Sequence, residues 1–234
     1  MALPVFNDIP KYDLTIPSTN EKVRFRPFLV KEQKILLMAM ESKDQSKILD
    51  SITDTLTACF VDVKVDQLTT FDVEYMFTQL RGKSVGETSD ITILCTECDA
   101  ENKITLNIED INIKVEHEVP EIVLTDKYTL KMRYPKYVDI VKTMINPDLK
   151  EVDKLFHTAL VSLDSLLTEN ERILFDDETE EERLQFLDGL NSAQFEKIME
   201  FVNAIPRLKK EIKFKCRSCE HDNNQLVEGI ESFF

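Results

Sequence analysis

The stretch Cys95-Thr96-Glu97-Cys98 in the middle of the chain has a counterpart near its end, Cys216-Arg217-Ser218-Cys219. These two Cys-x-x-Cys pairs contain four of the five cysteines in the chain. A two-residue gap lets one tight turn direct both sulfurs toward the same point, and zinc prefers four thiolates in a tetrahedron. The two pairs therefore predict two halves of one structural zinc site, with Cys95, Cys98, Cys216 and Cys219 as its ligands.

Strand-like alternation flanks both pairs. Residues 90–94 and 103–108 enclose the first pair, and residues 211–215 and 225–227 enclose the second, which predicts a β-hairpin around each. Ordinary zinc ribbons separate their pairs by about 15 to 20 residues. Here 117 residues lie between Cys98 and Cys216, so a shared ion would make a split ribbon that ties the middle of the chain to its end.

Other readings of the cysteines remain open at this point. Reduced thiols that cap two hairpins, or a redox dithiol, are the alternatives to a metal site. Disulfide frameworks are typical of small secreted domains, and thioredoxin-like pairs open a helix after a strand, which neither pair does. His221, two residues after Cys219, is a possible substitute ligand, although an exposed hairpin position is its simpler role.

The composition of the chain limits the classes of function that are open to it. The 234 residues, 42% of them hydrophobic, are enough for a substantial core, and a net charge of −15 disfavours binding to nucleic acid or to an anionic membrane. The chain has no stretch of about 20 apolar residues that would span a membrane. Residues 1–10 lack the basic and apolar regions of a signal peptide, so we expect a protein made and used in a cytosol.

The rest of the sequence predicts an α+β fold, with helical bundles and short antiparallel hairpins. Residues 12–16 and 22–28 form an N-terminal hairpin, residues 31–60 follow a helical pattern that includes Ile35 and Met38, and Thr69 precedes a further helix. A strand at 128–134 is followed by helices near 137–144 and 152–163, then by two helices with capping boxes at Thr179 and Asn191.

A similar order occurs in both halves of the chain. A polar cap, a helix, a strand and a Cys-x-x-Cys pair succeed one another from Leu68 to Cys95 and again from Leu190 to Cys216. This pattern favours an internal duplication, with chance as the alternative. The predicted units are residues 1–120, which hold the first half-ribbon, and residues 121–234, which hold the second, interlocked as one body.

Catalytic motifs are lacking, and we therefore predict no enzymatic activity. The histidines His117, His157 and His221 are far apart in the sequence, and four glycines are too few for a phosphate-binding loop. The acidic run at 176–182 resembles a divalent-metal site at first sight. It is more typical of a solvated helix start, and a metal-dependent hydrolase is the weakest of the functional hypotheses.

Two longer stretches carry a family resemblance. Residues 26–34 (RPFLVKEQK) and 71–87 (FDVEYMFTQLRGKSVGE), followed by the first Cys pair, resemble the baseplate hub proteins of T-even-like contractile-tailed bacteriophages. The resemblance implies a role in the tail baseplate hub, either as a structural subunit or as an assembly chaperone. The resemblance implies other hub proteins as partners, in the host cell cytoplasm during assembly and, for a structural subunit, in the finished tail.

The segment around Arg81 and Lys83 is more basic than the acidic whole, which makes these residues a candidate partner interface. An internal ion pair of Arg81 is the alternative. A zinc-ribbon adaptor that binds host transcription machinery or nucleic acid is the second functional hypothesis, based on the cysteines alone. The oligomeric state does not follow from the sequence.

Overall fold

The computed structural model describes residues 9–111, 113, 115, 119–146 and 148–229. The first part of the chain contains β1 (Tyr12–Thr15), β2 (Lys22–Phe25), α1 (Val30–Ser42), α2 (Gln45–Cys59), α3 (Thr70–Val85), β3 (Thr88–Leu94) and β4 (Glu101–Asn107). The second part contains β5 (Glu121–Thr125), β6 (Tyr128–Met132), α4 (Tyr137–Met144), α5 (Glu151–Val161), β7 (Leu163–Leu167), β8 (Arg172–Leu174), α6 (Glu180–Asp188), α7 (Ser192–Ala204), β9 (Lys209–Lys215) and β10 (Asp222–Glu228). The predicted α+β class is confirmed as a mixture of helices with small antiparallel sheets.

The chain forms two compact units. One contains residues 1–65, 71–115 and 207–234, and the other contains residues 66–70 and 116–206. These units differ from the predicted halves, which were divided at residue 120. The reason is that the C-terminal hairpin β9–β10 belongs to the same unit as β3–β4. Both Cys-x-x-Cys pairs therefore lie in the first unit. His117 lies outside the described residues.

The first unit is built from hairpins and helices. The predicted N-terminal hairpin is present, with Tyr12 paired to Phe25 and Thr15 to Lys22. The helical pattern of residues 31–60 divides into two helices, since Lys43 adopts a left-handed φ of 54° and the Asp44 carboxylate accepts hydrogen bonds from the Ser46 and Lys47 amides. Such an N-cap satisfies amides that the first turn of a helix leaves free. In α3, Gly82 leaves room for Ile108, whose Cγ2 would lie 3.2 Å from a Cβ at that position.

The second unit contains a four-stranded antiparallel sheet in the order β5-β6-β7-β8. Of these strands the sequence predicted only β6. The expected helix over residues 152–163 ends at Val161, and Leu163 starts β7, where it is paired with Met132 and fully buried. An amphipathic period continues across this boundary, so the apolar spacing alone did not mark the change from helix to strand.

Two helices of the second unit begin where the sequence predicted. The capping boxes at Thr179 and Asn191 are both formed, with Glu182 and Gln194 as their N3 partners. The core of this unit consists of apolar side chains from the sheet, from the short 3-10 turn after β8 and from α5 to α7: Ile122, Leu130, Met132, Ala159, Leu160, Leu163, Phe175, Leu187, Ile198, Phe201 and Val202. No helix among the described residues is long and apolar enough to cross a membrane.

Candidate metal centre

Each Cys-x-x-Cys pair lies in the turn of a hairpin whose two strands have seven residues each, one between β3 and β4 and the other between β9 and β10. The two turns have the same backbone hydrogen bonds. The Cys95 amide donates to the Ala100 carbonyl at 2.9 Å, and the Cys216 amide donates to the His221 carbonyl at 2.8 Å. The residue after the second cysteine is left-handed in both turns, with φ of 55° at Asp99 and 59° at Glu220.

The four sulfur atoms of these turns form one cluster. All lie within 4.8 Å of one another, and the Cys95–Cys219 and Cys98–Cys216 sulfurs are each 3.7 Å apart. Zinc–sulfur bonds of about 2.3 Å in a tetrahedron require sulfur–sulfur distances of about 3.8 Å. The donor set thus fits a tetrahedral metal ion, whereas a disulfide needs about 2.05 Å between sulfurs.

Hydrogen bonds from backbone amides stabilise negative charge on two of the sulfurs. The amides of Glu97 and Ser218 donate to the Cys95 and Cys216 sulfurs at 3.5 and 3.4 Å. Hydrogen bonds from the Cys219 and Ser218 amides lower the pKa of Cys216 to about 6. For Cys95, burial opposes ionisation, but the amide donors outweigh it and its pKa is also lowered.

The closeness of the sulfurs raises the pKa of the last cysteine, Cys219, instead of lowering it. The His221 amide favours the Cys219 thiolate, but the neighbouring Cys98 sulfur and burial outweigh it and raise the pKa of Cys219 to about 12. Four thiolates cannot share so small a space without a compensating cation. A divalent ion with a preference for sulfur supplies that charge, and a coordinating thiol is deprotonated outright.

Two buried asparagines connect the hairpins. Asn102 on β4 reaches the second turn, where its Oδ1 accepts from the Arg217 amide at 2.9 Å and its Nδ2 lies 3.7 Å from the Cys216 sulfur. Asn223 on β10 makes the same contacts in the first turn, with 3.0 Å to the Thr96 amide and 3.5 Å to the Cys95 sulfur. Each hairpin thus supplies the amide side chain that hydrogen-bonds a thiolate of the other, which orients the sulfurs from outside the donor set.

The sequence contains a signal for these asparagines that the cysteine spacing alone does not give. Each lies seven positions after the first cysteine of its own pair, in the shared pattern Cys-x-x-Cys, acid, x, acid, Asn at 95–102 and 216–223. The alternation of the sequence predicts the second strand of this hairpin from residue 225, but β10 already begins at Asp222. His221 is exposed, as expected, and is not part of the sulfur cluster.

An apolar core and a further hydrogen bond hold the hairpins together beneath the sulfurs. The core consists of Ile91, Ile93, Leu106, Ile111, Leu208 and Ile212. Next to the cluster, the Gln225 side chain donates to the Leu94 carbonyl at 2.7 Å. The contact between the hairpins therefore does not depend on sulfur alone.

The structure places both predicted interface residues, Arg81 and Lys83, on α3. Arg81 is half-buried, and burial lowers its pKa below the ordinary range. The Lys83 ammonium pairs with Glu87 at 2.8 Å and lies 5.7 Å from the centre of the Tyr12 ring. The Lys83 ammonium is thus engaged with the chain itself.

The acidic run at 176–182 has structural roles in the second unit. Asp176 forms a two-pronged ion pair with Arg133 at 2.6 and 2.7 Å, and Glu182 accepts from the Thr179 amide at 2.9 Å. Within the part of the chain that the structure describes, the four cysteines are the single cluster of His, Cys, Asp or Glu side chains with the geometry of a metal site.

A comparison with protein families gives a match over nearly all of the chain. The family model described as "T4 bacteriophage base plate protein" matches residues 9–234. No curated protein and no solved structure matches the chain significantly.

Proposed function

The chain belongs to the T4 bacteriophage base plate protein family, and on this premise we propose that it acts in assembly of the central hub of the base plate. Its role would be that of a hub subunit or of an assembly chaperone. In either role it binds other base plate proteins rather than transforming a substrate. We further propose that Cys95, Cys98, Cys216 and Cys219 hold one structural zinc ion.

The observation that carries the zinc proposal is the closed set of four sulfurs. Four thiolates complete the coordination of zinc, so no position is left for water or for a substrate. Such an ion contributes to folding and to rigidity. By joining hairpins that are 117 residues apart between Cys98 and Cys216, the ion would fix the C-terminal hairpin on the first unit.

A rigid surface suits a protein that must bind others during assembly. When the binding surface is ordered in advance, less conformational entropy is lost on association. The family gives the tail base plate as the setting, and we propose that binding to hub proteins takes place in the host cell cytoplasm. The segment around Arg81 and Lys83 is retained as a proposed contact, for which a partner carboxylate would compete with Glu87 for Lys83.

Native mass spectrometry of the protein purified from infected cells, with and without a zinc chelator, tests this function. We expect one zinc ion per chain and at least one bound base plate protein, with both lost on chelation if the metal supports the binding surface. A partnerless, metal-free chain would contradict the proposal. Presence in purified finished tails would indicate a subunit, and absence from them would indicate an assembly chaperone.

A further inference from the structure

The four cysteines of the cluster differ in their exposure to solvent. Cys95 and Cys216 are 1% and 2% exposed, whereas Cys98 and Cys219 are exposed. Each pair therefore places its first cysteine in the interior and its second cysteine at the surface. The second cysteine of each pair is the one that a dissolved small molecule reaches first.

The hydrogen bonds around the buried sulfurs hold them in place from both hairpins. The sulfurs of Cys95 and Cys216 each accept from a backbone amide of their own turn. Each also lies within hydrogen-bond distance of an asparagine side chain of the other hairpin, at 3.5 Å for Cys95 and 3.7 Å for Cys216. Such contacts orient the sulfurs from outside the donor set. The buried sulfurs are thus positioned toward the opposite hairpin.

Each exposed cysteine has a buried sulfur of the other hairpin as a neighbour. The Cys219 sulfur lies 3.7 Å from the Cys95 sulfur, and the Cys98 sulfur lies 3.7 Å from the Cys216 sulfur. Because a disulfide requires about 2.05 Å, a movement of less than about 2 Å would convert each contact into a covalent bond. The two bonds would join the same hairpins that a shared metal ion joins.

The chemistry of metal-bound cysteine makes these contacts reactive. The thiolate is the nucleophilic form of cysteine, and a thiol that coordinates a metal ion is deprotonated. Oxidation follows thiolate character and exposure, and an oxidised cysteine condenses with a thiol beside it to form a disulfide. In this cluster the exposed cysteines are Cys98 and Cys219, and their neighbours across the hairpins are Cys216 and Cys95.

We propose that the cluster is a site of oxidative modification by peroxide, in which disulfides Cys98–Cys216 and Cys95–Cys219 between the hairpins replace the metal ion. The exposed cysteine of each disulfide is oxidised first. This inference rests on the zinc ion of the proposed function and adds a second, covalent state of the same site.

The reaction balances with hydrogen peroxide as the oxidant. The exposed thiolate attacks one peroxide oxygen, the oxygen–oxygen bond breaks, and a sulfenic acid and a hydroxide ion form. The buried thiolate then attacks the sulfenic sulfur, the sulfur–sulfur bond forms, and a second hydroxide ion leaves. Two thiolates and one peroxide thus give one disulfide and two hydroxide ions. Zinc leaves as a divalent ion because its four thiolate ligands are consumed.

The connectivity of the disulfides decides what happens to the C-terminal hairpin. Disulfides between the hairpins would keep β9–β10 covalently joined to β3–β4 after the ion has left. Disulfides within each pair would leave the hairpins joined by noncovalent contacts alone. Thiols stay reduced in a cytosol, and disulfides persist in oxidising surroundings. The proposed connectivity would therefore preserve the position of the hairpin in both environments.

Peroxide titration of the purified full chain tests the proposal. Zinc release is followed with the colorimetric chelator 4-(2-pyridylazo)resorcinol, and disulfides are mapped by mass spectrometry without reduction, after free thiols are alkylated. Trypsin cleaves after Arg217 and a glutamate-specific protease cleaves after Glu97, so a double digest places the four cysteines on four separate peptides. We expect about two peroxide molecules to be consumed for each zinc ion released, and the peptides to be joined in the two proposed disulfides.

The order of oxidation is tested with dimedone, which traps sulfenic acids. We expect dimedone on Cys98 and Cys219 and none on the buried pair. Cys59 is the internal control, because it is buried in α2 outside the cluster and burial raises its pKa to about 11. It should remain a free thiol at peroxide concentrations that release zinc. Trapping at the buried pair, or oxidation of Cys59 before the cluster, would overturn the proposed order.

Thermal unfolding provides a second measurement. The oxidised, metal-free chain is expected to melt at least about 5 °C above the reduced, metal-free chain, because its hairpins remain covalently joined. Disulfides within each pair, zinc release without disulfides, or equal melting temperatures would overturn this inference, and a zinc ion in the untreated chain would leave the proposed function standing. If the untreated chain contains no zinc, the proposed metal site fails and this inference fails with it.

Discussion

Helix α1 and the paired hairpins reverse the usual relation between polarity and burial. In α1, large apolar side chains such as Val30 lie in solvent, whereas on strands β4 and β10 of the hairpins Asn102 and Asn223 are only 1% and 4% exposed. The difference shows that a side chain is buried here where the chain offers it a binding partner, whatever its polarity. The asparagines have thiolates and backbone amides to bind, and the side chains of α1 lack a comparable partner surface within the described residues of the chain.

The largest effect is expected from breaking the sulfur cluster. Cys216→Ser removes a thiolate that zinc strongly prefers, so bound zinc should fall from about one ion per chain to near zero, with a marked decrease in melting temperature. Metal analysis and thermal unfolding measure the two effects. Cys59→Ala is the matched control, because Cys59 lies in α2 outside the cluster. Retention of zinc by Cys216→Ser would contradict the proposed ligand set.

The second-largest effect is expected from breaking the Arg26–Glu32 ion pair, which attaches the start of α1. Glu32→Gln keeps the shape of the side chain but leaves Arg26, whose side chain is 21% exposed, without its carboxylate. We expect a loss of about 2 to 4 kcal/mol in the free energy of unfolding, somewhat less than for a fully buried pair. Urea unfolding measures it. Glu41→Gln, on the exposed side of the same helix, should change stability by less than about 0.5 kcal/mol.

The same ion pair predicts a pH dependence. Burial raises the pKa of Glu32, but the hydrogen bond and charge of Arg26 and the Leu29 amide outweigh it, so the pKa is lowered overall. A lowered carboxyl pKa contributes stability above the ordinary carboxyl range, and this contribution is lost as the pH falls through the folded-state value. The stability difference between wild type and Glu32→Gln should therefore shrink below about pH 4. A constant difference from pH 7 to pH 3 would argue against the ion pair.

A smaller effect should follow from changing one asparagine. Asn102→Asp keeps an acceptor for the Arg217 amide but places a carboxylate oxygen beside the Cys216 sulfur. We expect zinc affinity to fall about 10- to 100-fold, as for other residues that orient metal ligands. Chelator competition measures the affinity, and the sulfur-to-metal charge-transfer band of the cobalt form reports on the thiolates. Asn223→Asp should behave alike, and Asn170→Asp, in an exposed turn, should have no effect.

The smallest effect is expected in α1 itself. Leu37 is 55% exposed, so Leu37→Ala should lower the free energy of unfolding by no more than about 0.5 kcal/mol. Leu56→Ala in α2, where the side chain is fully buried, should lower it by about 2 to 5 kcal/mol. Denaturant unfolding of the two variants compares the same substitution in two environments. A cost for Leu37→Ala close to that for Leu56→Ala would show that α1 is covered within the isolated chain.

Several local features could be predicted from the sequence because their physical causes are local. The N-terminal hairpin, the two Cys hairpins and the capping boxes at Thr179 and Asn191 depend on residues within a few positions of one another. Strands β5, β7 and β8 were missed because they are only three to five residues long and because β7 pairs with β6, which is distant in sequence. The spacing of Ile35 and Met38 predicted a helix correctly, but it did not show that these side chains are exposed.

For the candidate site, the sequence by itself determined the four candidate ligands and the hairpin around each pair, because the Cys-x-x-Cys spacing and the strand alternation are short-range chemistry. The sequence also predicted that the two pairs share one site, and the structure brings their sulfurs together. Only the tertiary structure decided that Asn102 and Asn223 cross between the hairpins and that α1 exposes its apolar side chains. These outcomes depend on contacts between residues more than 100 positions apart, such as Asn102 with Cys216. They also depend on which surfaces find a partner inside the chain. Local spacing carries no information about such long-range packing, and hydropathy alone would have buried α1 and exposed the asparagines.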